Sequence, residues 1–139
     1  GKYHITGIEN GKSVLFYEDG SKLYEGNWVN GKQEGTSYAY FRNGKKWLEM
    51  NHKAGVRNGV EISWYSDSGD NQPLKKTHKN FKNGKLDGKS VGWYPDGWGK
   101  YEESYVNGIL QESDSYYLQK DGTRTTKEQL ELDGSFDNS

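Results

Sequence analysis

Short stretches in which apolar and polar residues alternate recur along this chain, and each ends at a glycine turn. Lys22-Leu23-Tyr24-Glu25-Gly26-Asn27-Trp28-Val29 runs from Glu18-Asp19-Gly20 to Asn30-Gly31, and Thr36-Ser37-Tyr38-Ala39-Tyr40-Phe41 runs on to Arg42-Asn43-Gly44. Period-two alternation rich in aromatics predicts half-buried strands. Asn-Gly and Asp-Gly accept the left-handed backbone that tight hairpins demand, so each strand–turn–strand stretch predicts a hairpin.

The hairpins repeat. Fourteen of the nineteen glycines fall on three ladders with a step of about two dozen residues. These are Gly7, Gly31, Gly55, Gly84 and Gly108; Gly11, Gly35, Gly59 and Gly88; and Gly20, Gly44, Gly69, Gly97 and Gly122. Self-similarity at a fixed period predicts a stacked array of small units. Aligned on the glycines, three columns are mostly aromatic or aliphatic: His4, Trp28, His52, Phe81, Tyr105; Phe16, Tyr40, Trp64, Trp93, Tyr117; and Val14, Tyr38, Ile62, Val91, Ser115. Two are polar: Glu25, Glu49, His78, Glu102, and Asn27, Asn51, Asn80, Ser104. The expectation is an antiparallel sheet with the first set on one face and the second on a solvated face.

The run Tyr24-Glu25-Gly26-Asn27-Trp28-Val29-Asn30-Gly31-Lys32-Gln33-Glu34-Gly35 closely resembles the membrane occupation and recognition nexus (MORN) repeat, whose pattern is Tyr-x-Gly-x-Trp, then Asn-Gly-Lys, then Gly. Other units keep the turns and lose that signature, with Leu48, Met50 and His52, or Thr77, Lys79 and Phe81, in place of Tyr, Gly and Trp. They are similar to the divergent, bacterial-type variant, as in Phe81-Lys82-Asn83-Gly84-Lys85-Leu86-Asp87-Gly88 followed by Trp93-Tyr94-Pro95-Asp96-Gly97. The resemblance covers roughly residues 2–122. It implies an all-β fold, an elongated single-layer antiparallel sheet of tandem β-hairpins in an open, solenoid-like array. It also implies a role in binding or assembly rather than catalysis.

Composition fits such an array. Only 30% of the 139 residues are hydrophobic, too few for a deep globular core, while aromatics at 14% supply a thin buried layer. Residues 1–122 read as about five hairpin units, the first incomplete, and 123–139 as a C-terminal cap with a mobile tail. In the cap, Thr125 and Glu128 have capping-box spacing, which predicts a short helix or a final strand. Between Gly69 and Lys75 about five extra residues predict a longer hairpin loop. With no cysteine there is no disulfide and no thiolate metal site. The chain opens on Lys2-Tyr3-His4-Ile5, aligned with the second strand of a unit. That start suggests a trimmed leader and an extracytoplasmic location, secreted, periplasmic or on a bacterial cell surface.

Residues with catalytic chemistry are not gathered. His4 and His52 share a column but lie two units apart, roughly 19 Å, and so do not share a metal. Glu25, Glu49 and Glu102 recur at about 10 Å or its multiples on an exposed face, which offers no desolvation to separate their pKa values. Gly84-Lys85-Leu86-Asp87-Gly88-Lys89-Ser90 ends like a Walker A loop without its full spacing. The reading is therefore no catalytic residue, no metal and no cofactor.

Binding candidates are the aromatics Trp28, Tyr40, Trp64, Phe81, Trp93 and Tyr105, together with Lys75, Lys76, Lys79 and Lys82 from a lysine-rich third unit. The aromatics serve either as the scaffold's own cross-strand ladder or as an exposed groove for an extended peptide or glycan. Residues 102–137 hold nine acids and three bases, which opposes the lysine cluster and leaves a net charge of −1. A protein partner is expected, with a glycan or anionic lipid as further options and self-association through a sheet edge or the aromatic face. Nucleic acid is disfavoured by the pI of 6.4. A secreted or surface interaction module stands beside an intracellular antitoxin-like partner, which the resemblance implies through bacterial relatives assigned to toxin–antitoxin systems.

Overall fold

The computed structural model describes residues 10–66, 74–95, 100–119, 121–126 and 129. Residues 2–6, the inserted loop at 67–73 and all but the first turns of the expected cap and tail lie outside that set. The described residues form one open antiparallel sheet of 14 strands. Ten lie side by side in the order β1 (Gly11–Phe16), β2 (Lys22–Val29), β4 (Gly35–Tyr40), β5 (Lys46–Lys53), β7 (Gly59–Trp64), β8 (Lys75–Lys82), β10 (Gly88–Trp93), β11 (Lys100–Val106), β13 (Tyr116–Leu118) and β14 (Arg124–Thr125). Four two-residue arms, β3 (Lys32–Gln33), β6 (Val56–Arg57), β9 (Lys85–Leu86) and β12 (Ile109–Leu110), fold back on β2, β5, β8 and β11. The fold is the tandem hairpin array that the glycine ladders predict.

Each ladder has its own structural task. At the first, Asn30-Gly31, Asn83-Gly84 and Asn107-Gly108 have positive φ at both positions, as a two-residue hairpin turn requires. Ala54 takes φ 50° at the equivalent site without the Asn or Gly that suits it. The tips also stack on one another: the N–H groups of Gly55, Gly84 and Gly108 donate to the carbonyls of Gln33, Arg57 and Leu86 at 2.7–2.8 Å. The third ladder closes the opposite end, where Gly20, Gly44 and Gly122 donate to Tyr17, Phe41 and Gln119, and Asp19, Asn43 and Asp121 accept from the backbone two residues on.

The second ladder makes room. Gly11, Gly35, Gly59 and Gly88 lie directly opposite Trp28, His52, Phe81 and Tyr105, so each large ring stands beside a residue with no side chain.

The pairing corrects the expected faces. Directly paired residues project to the same side. Val14, Glu25, Tyr38, Glu49, Ile62, His78, Val91, Glu102 and Tyr116 form one continuous row, so the glutamate column shares its face with the Val14, Tyr38, Ile62 and Val91 column. Trp28, His52, Phe81 and Tyr105 project to the other side, with Leu15, Tyr24, Ala39, Leu48, Ser63, Thr77, Gly92, Tyr101 and Tyr117. Tyr117 thus leaves the column of Phe16, Tyr40, Trp64 and Trp93, and Tyr116 points their way. The cause is phase. Alternation fixes the sides within a strand, but the phase between strands is set by turn length and by the register shifts at Leu15/Phe16, Ala39/Tyr40 and Ser63/Trp64.

Burial separates the two faces. The buried residues Ser13, Tyr24, Ser37, Ala39, Ser90 and Tyr117 all belong to the face that carries Trp28, which is the sheltered face. Its small residues let rings lie flat: a methyl group built on Gly26 would collide with the Tyr24 hydroxyl, and one on Gly92 with the Tyr101 ring. The face that carries Glu25 is the open face.

Candidate functional site

The sequence-predicted site residues divide between the faces. Tyr40, Trp64, Trp93 and Lys75 stand on the open face, and Lys82 on the same side at a hairpin tip. Trp28, Phe81, Tyr105 and Lys79 stand on the sheltered face, and the Lys76 ammonium lies 5.7 Å from the Tyr65 ring centroid. The structure therefore brings together two groups of candidates, not one.

On the sheltered face the aromatics are occupied with one another and with their neighbours. The exception is the buried Trp28 indole N–H, which has no hydrogen-bond partner among the described residues. The Arg57 guanidinium lies 5.1 Å from the Phe81 ring centroid and 3.4 Å from Glu61. Burial, with Arg57 adding, holds the His52 imidazole below its ordinary pKa against the pull of Glu61. Tyr117 and Tyr105 donate to the two oxygens of Glu103 at 2.5 and 3.2 Å, and the Tyr101 and Tyr117 rings sit 5.7 Å apart. Burial, reinforced by Glu103, pushes the Tyr105 phenol up to about 12 and Tyr117 higher still. These contacts hold the scaffold. The same face carries an apolar hollow of about 350 Å³ between Leu15, Tyr17, Leu23, Tyr24, Ala39, Trp47, Leu48 and Met50.

The open face is organised differently. Along the edge remote from the Asn-Gly tips, an apolar residue pairs with a cation in every unit: Phe16 with Lys22, Tyr40 with Lys46, Trp64 with Lys75, Trp93 with Lys100 and Leu118 with Arg124. The row alternates an apolar residue and a cation across all ten strands, and the apolar residue is a ring in the first four pairs. Beside it, Glu25 takes a short hydrogen bond from the Tyr40 hydroxyl and ion pairs from Lys22 at 3.1 Å and Lys12 at 3.7 Å. The Tyr40 bond, helped by the lysines, lowers the Glu25 pKa despite partial burial. Burial and then Glu25 push the Tyr40 phenol up to about 12.

An equivalent cluster recurs at Glu102. Burial there opposes ionisation, but the Tyr116 hydroxyl and Lys100, at 3.4 Å, prevail and lower its pKa. Between them the position is Glu49 in one unit and His78 in the next, where Ile62 and Val91 are the register partners of His78.

Charge is distributed by face. The open face carries Lys12, Lys22, Lys46, Lys75, Lys89, Lys100 and Arg124, and at the tips Lys32, Lys53, Lys82 and Lys85, against Glu25, Glu49 and Glu102. A chain of net charge −1 thus presents a strongly basic surface on one side. Sequence reasoning missed Lys22, Lys46, Lys100 and Arg124. Their signal is in the chain, since Lys22, Lys46 and Arg124 each stand two residues past a third-ladder glycine.

Among the described residues, no group of three or more His, Asp or Glu is placed to hold a metal, and no helix is long and apolar enough to cross a membrane. A family model described as the MORN repeat variant matches residues 9–30, 33–54 and 86–107. A search of curated proteins gave no match.

Proposed function

Because this chain is a MORN-repeat protein, we propose that it works as a noncatalytic binding scaffold whose recognition surface is the open face of the sheet. The MORN repeat is a noncatalytic repeat type associated with protein-binding and membrane-binding scaffolds. The observation that carries the reading is the contrast between the faces. On the sheltered face Tyr105 and Tyr117 give their hydroxyls to Glu103, whereas on the open face Lys46, Lys75 and Arg124 stand exposed beside apolar residues and make no ion pair with another described residue. The partner is elongated and acidic, a protein or a cell-surface component, and the setting is a bacterial secreted or surface-associated module. A polar, cysteine-free chain built from the repeat variant supports that setting.

The test is capture from cell-surface extract on immobilised protein. A Lys46→Glu, Lys75→Glu double variant should lose the partner, and Lys79→Glu on the sheltered face should keep it. Equal retention by both variants would remove the open face from the proposal.

A further inference from the structure

The ring–cation row has a fixed repeat, and the repeat carries information about what lies along it. From β1 to β10 rings recur on every second strand, roughly 10 Å apart at about 4.8 Å per strand, and a cation stands midway between successive rings. The row runs across the strands and not along a strand edge, so a peptide lying on it gains no backbone ladder. Single-stranded nucleic acid stacks successive bases on aromatics and carries a charge at every nucleotide. Here a strand bearing a cation separates each ring from the next, so successive bases find no continuous stack. A polymer that alternates an uncharged unit with an acidic one, at a repeat close to the length of a disaccharide, suits both the rings and the cations.

Resting on the scaffold reading above, we propose that the open face binds an extended anionic polysaccharide of alternating neutral and acidic sugars. The neutral sugars stack on Tyr40, Trp64 and Trp93, and their acidic neighbours pair with Lys46, Lys75 and Lys100. Sugar rings offer a flat C–H face to an aromatic, and a uronate offers a carboxylate to an ammonium. The flanking glutamates, two of them held ionised by tyrosine and lysine, accept hydrogen bonds from sugar hydroxyls. Each pair is weak at an exposed surface, and affinity comes from several engaged in series along one chain.

The experiment is titration calorimetry of the whole chain with hyaluronan oligosaccharides, which alternate glucuronate and N-acetylglucosamine. Neutral chitin oligosaccharides and single-stranded poly(dT) serve as comparisons. Hyaluronan should bind at least tenfold more tightly than either, and longer oligosaccharides should gain affinity until the row is filled. Lys46→Glu with Lys75→Glu should reduce binding at least tenfold, and so should Trp64→Ala. Circular dichroism identifies a variant that fails to fold, and the exposed lysine pair keeps the test open if the tryptophan variant does. Tighter binding of poly(dT), equal binding of chitin, or no binding of hyaluronan would overturn the polysaccharide. If hyaluronan fails while an acidic protein is captured and released by the same lysine variant, the scaffold stands and this inference alone falls.

Discussion

The two faces of this sheet carry aromatics at the same repeat and put them to different uses, and the difference lies in the residue next to each ring. On the sheltered face that neighbour is small: Gly11, Gly35, Gly59 and Gly88 lie opposite Trp28, His52, Phe81 and Tyr105, and Tyr24 and Tyr101 lie over Gly26 and Gly92. On the open face it is a cation of the next strand. A ring beside glycine is free to lie flat and exclude water, which gives a one-residue-thick sheet the packing it has no second layer to provide. A ring beside lysine has a charged neighbour instead, and Tyr40, Trp64 and Trp93 remain partly exposed next to it. The faces are separated by local sterics and charge, not by a simple division into apolar and polar.

The comparison breaks most readily at Gly92. Its hydrogen occupies the space beneath the Tyr101 ring, itself packed on Tyr117, so Gly92→Ala pushes a methyl group into rigid neighbours. We expect a loss of about 1–3 kcal/mol, the usual cost of overpacking, read from the urea unfolding midpoint. Gly122→Ala provides the contrast, because a methyl group there meets nothing and the cost is that of φ 89° alone. Equal losses at the two glycines would mean that backbone strain, and not the packing of rings over glycine, holds the sheltered face.

How much of this the chain announces depends on which property is asked of it. The hairpins were legible because Asn30-Gly31 and Asp19-Gly20 are local signals, readable without knowledge of any other strand. The assignment of faces was not. Glu25 and Tyr38 lie thirteen residues apart and project to one side because they are register partners across two strands joined through a tip and a two-residue arm. The bulge at Leu15/Phe16 then brings Lys22 opposite Phe16 and within 3.1 Å of Glu25. Bulges are phase shifts in the alternation, and their effect emerges only when both strands are in hand. The candidate rings Tyr40, Trp64 and Trp93 were found from the column alone. Their cationic partners were hidden, because lysine at a strand end reads as a solvated residue until its register partner is known.

A second prediction on the sheltered face concerns hydrogen bonding. Tyr117 is 4% exposed and gives its hydroxyl proton to Glu103 at 2.5 Å. Tyr117→Phe keeps the ring and removes that bond to a charged acceptor, so about 1.5–3 kcal/mol should be lost. A thermal scan checks it. A loss confined to a few tenths of that range would show that the ring, and not the phenol–carboxylate bond, carries the contribution.

Glu25 sharpens the comparison from the open side, where charge and solvent compete. Its pKa is lowered, chiefly by the Tyr40 hydroxyl, so its contribution to stability is complete above the ordinary carboxylate value and fades as the pH falls through the folded value. Glu25→Gln should cost up to about 1 kcal/mol at neutral pH, as an exposed ion-pair cluster does. The difference from the parent protein should vanish in acid, where both carry an uncharged group at this position. Parallel unfolding series at pH 7 and pH 3 check this. A cost that persists unchanged at pH 3 would point to the shape of the Glu25–Tyr40 contact instead of its charge.

The smallest expected effect is at Lys75. Lys46 and Lys75 are exposed, and neither makes an ion pair with another described residue, although the Lys46 ammonium lies 3.9 Å from the Tyr38 ring centroid. Removing both with alanine should move the unfolding free energy by no more than about 0.5 kcal/mol for Lys75, with a further 0.5–1 kcal/mol at Lys46 from its contact with Tyr38. A basic face kept for binding should not be needed for folding, and removing these charges should relieve repulsion from neighbouring cations. If Lys75→Ala alone cost more than 1 kcal/mol, the cation beside Trp64 would be part of the scaffold, as glycine is on the other side. The two faces would then differ in composition but not in purpose.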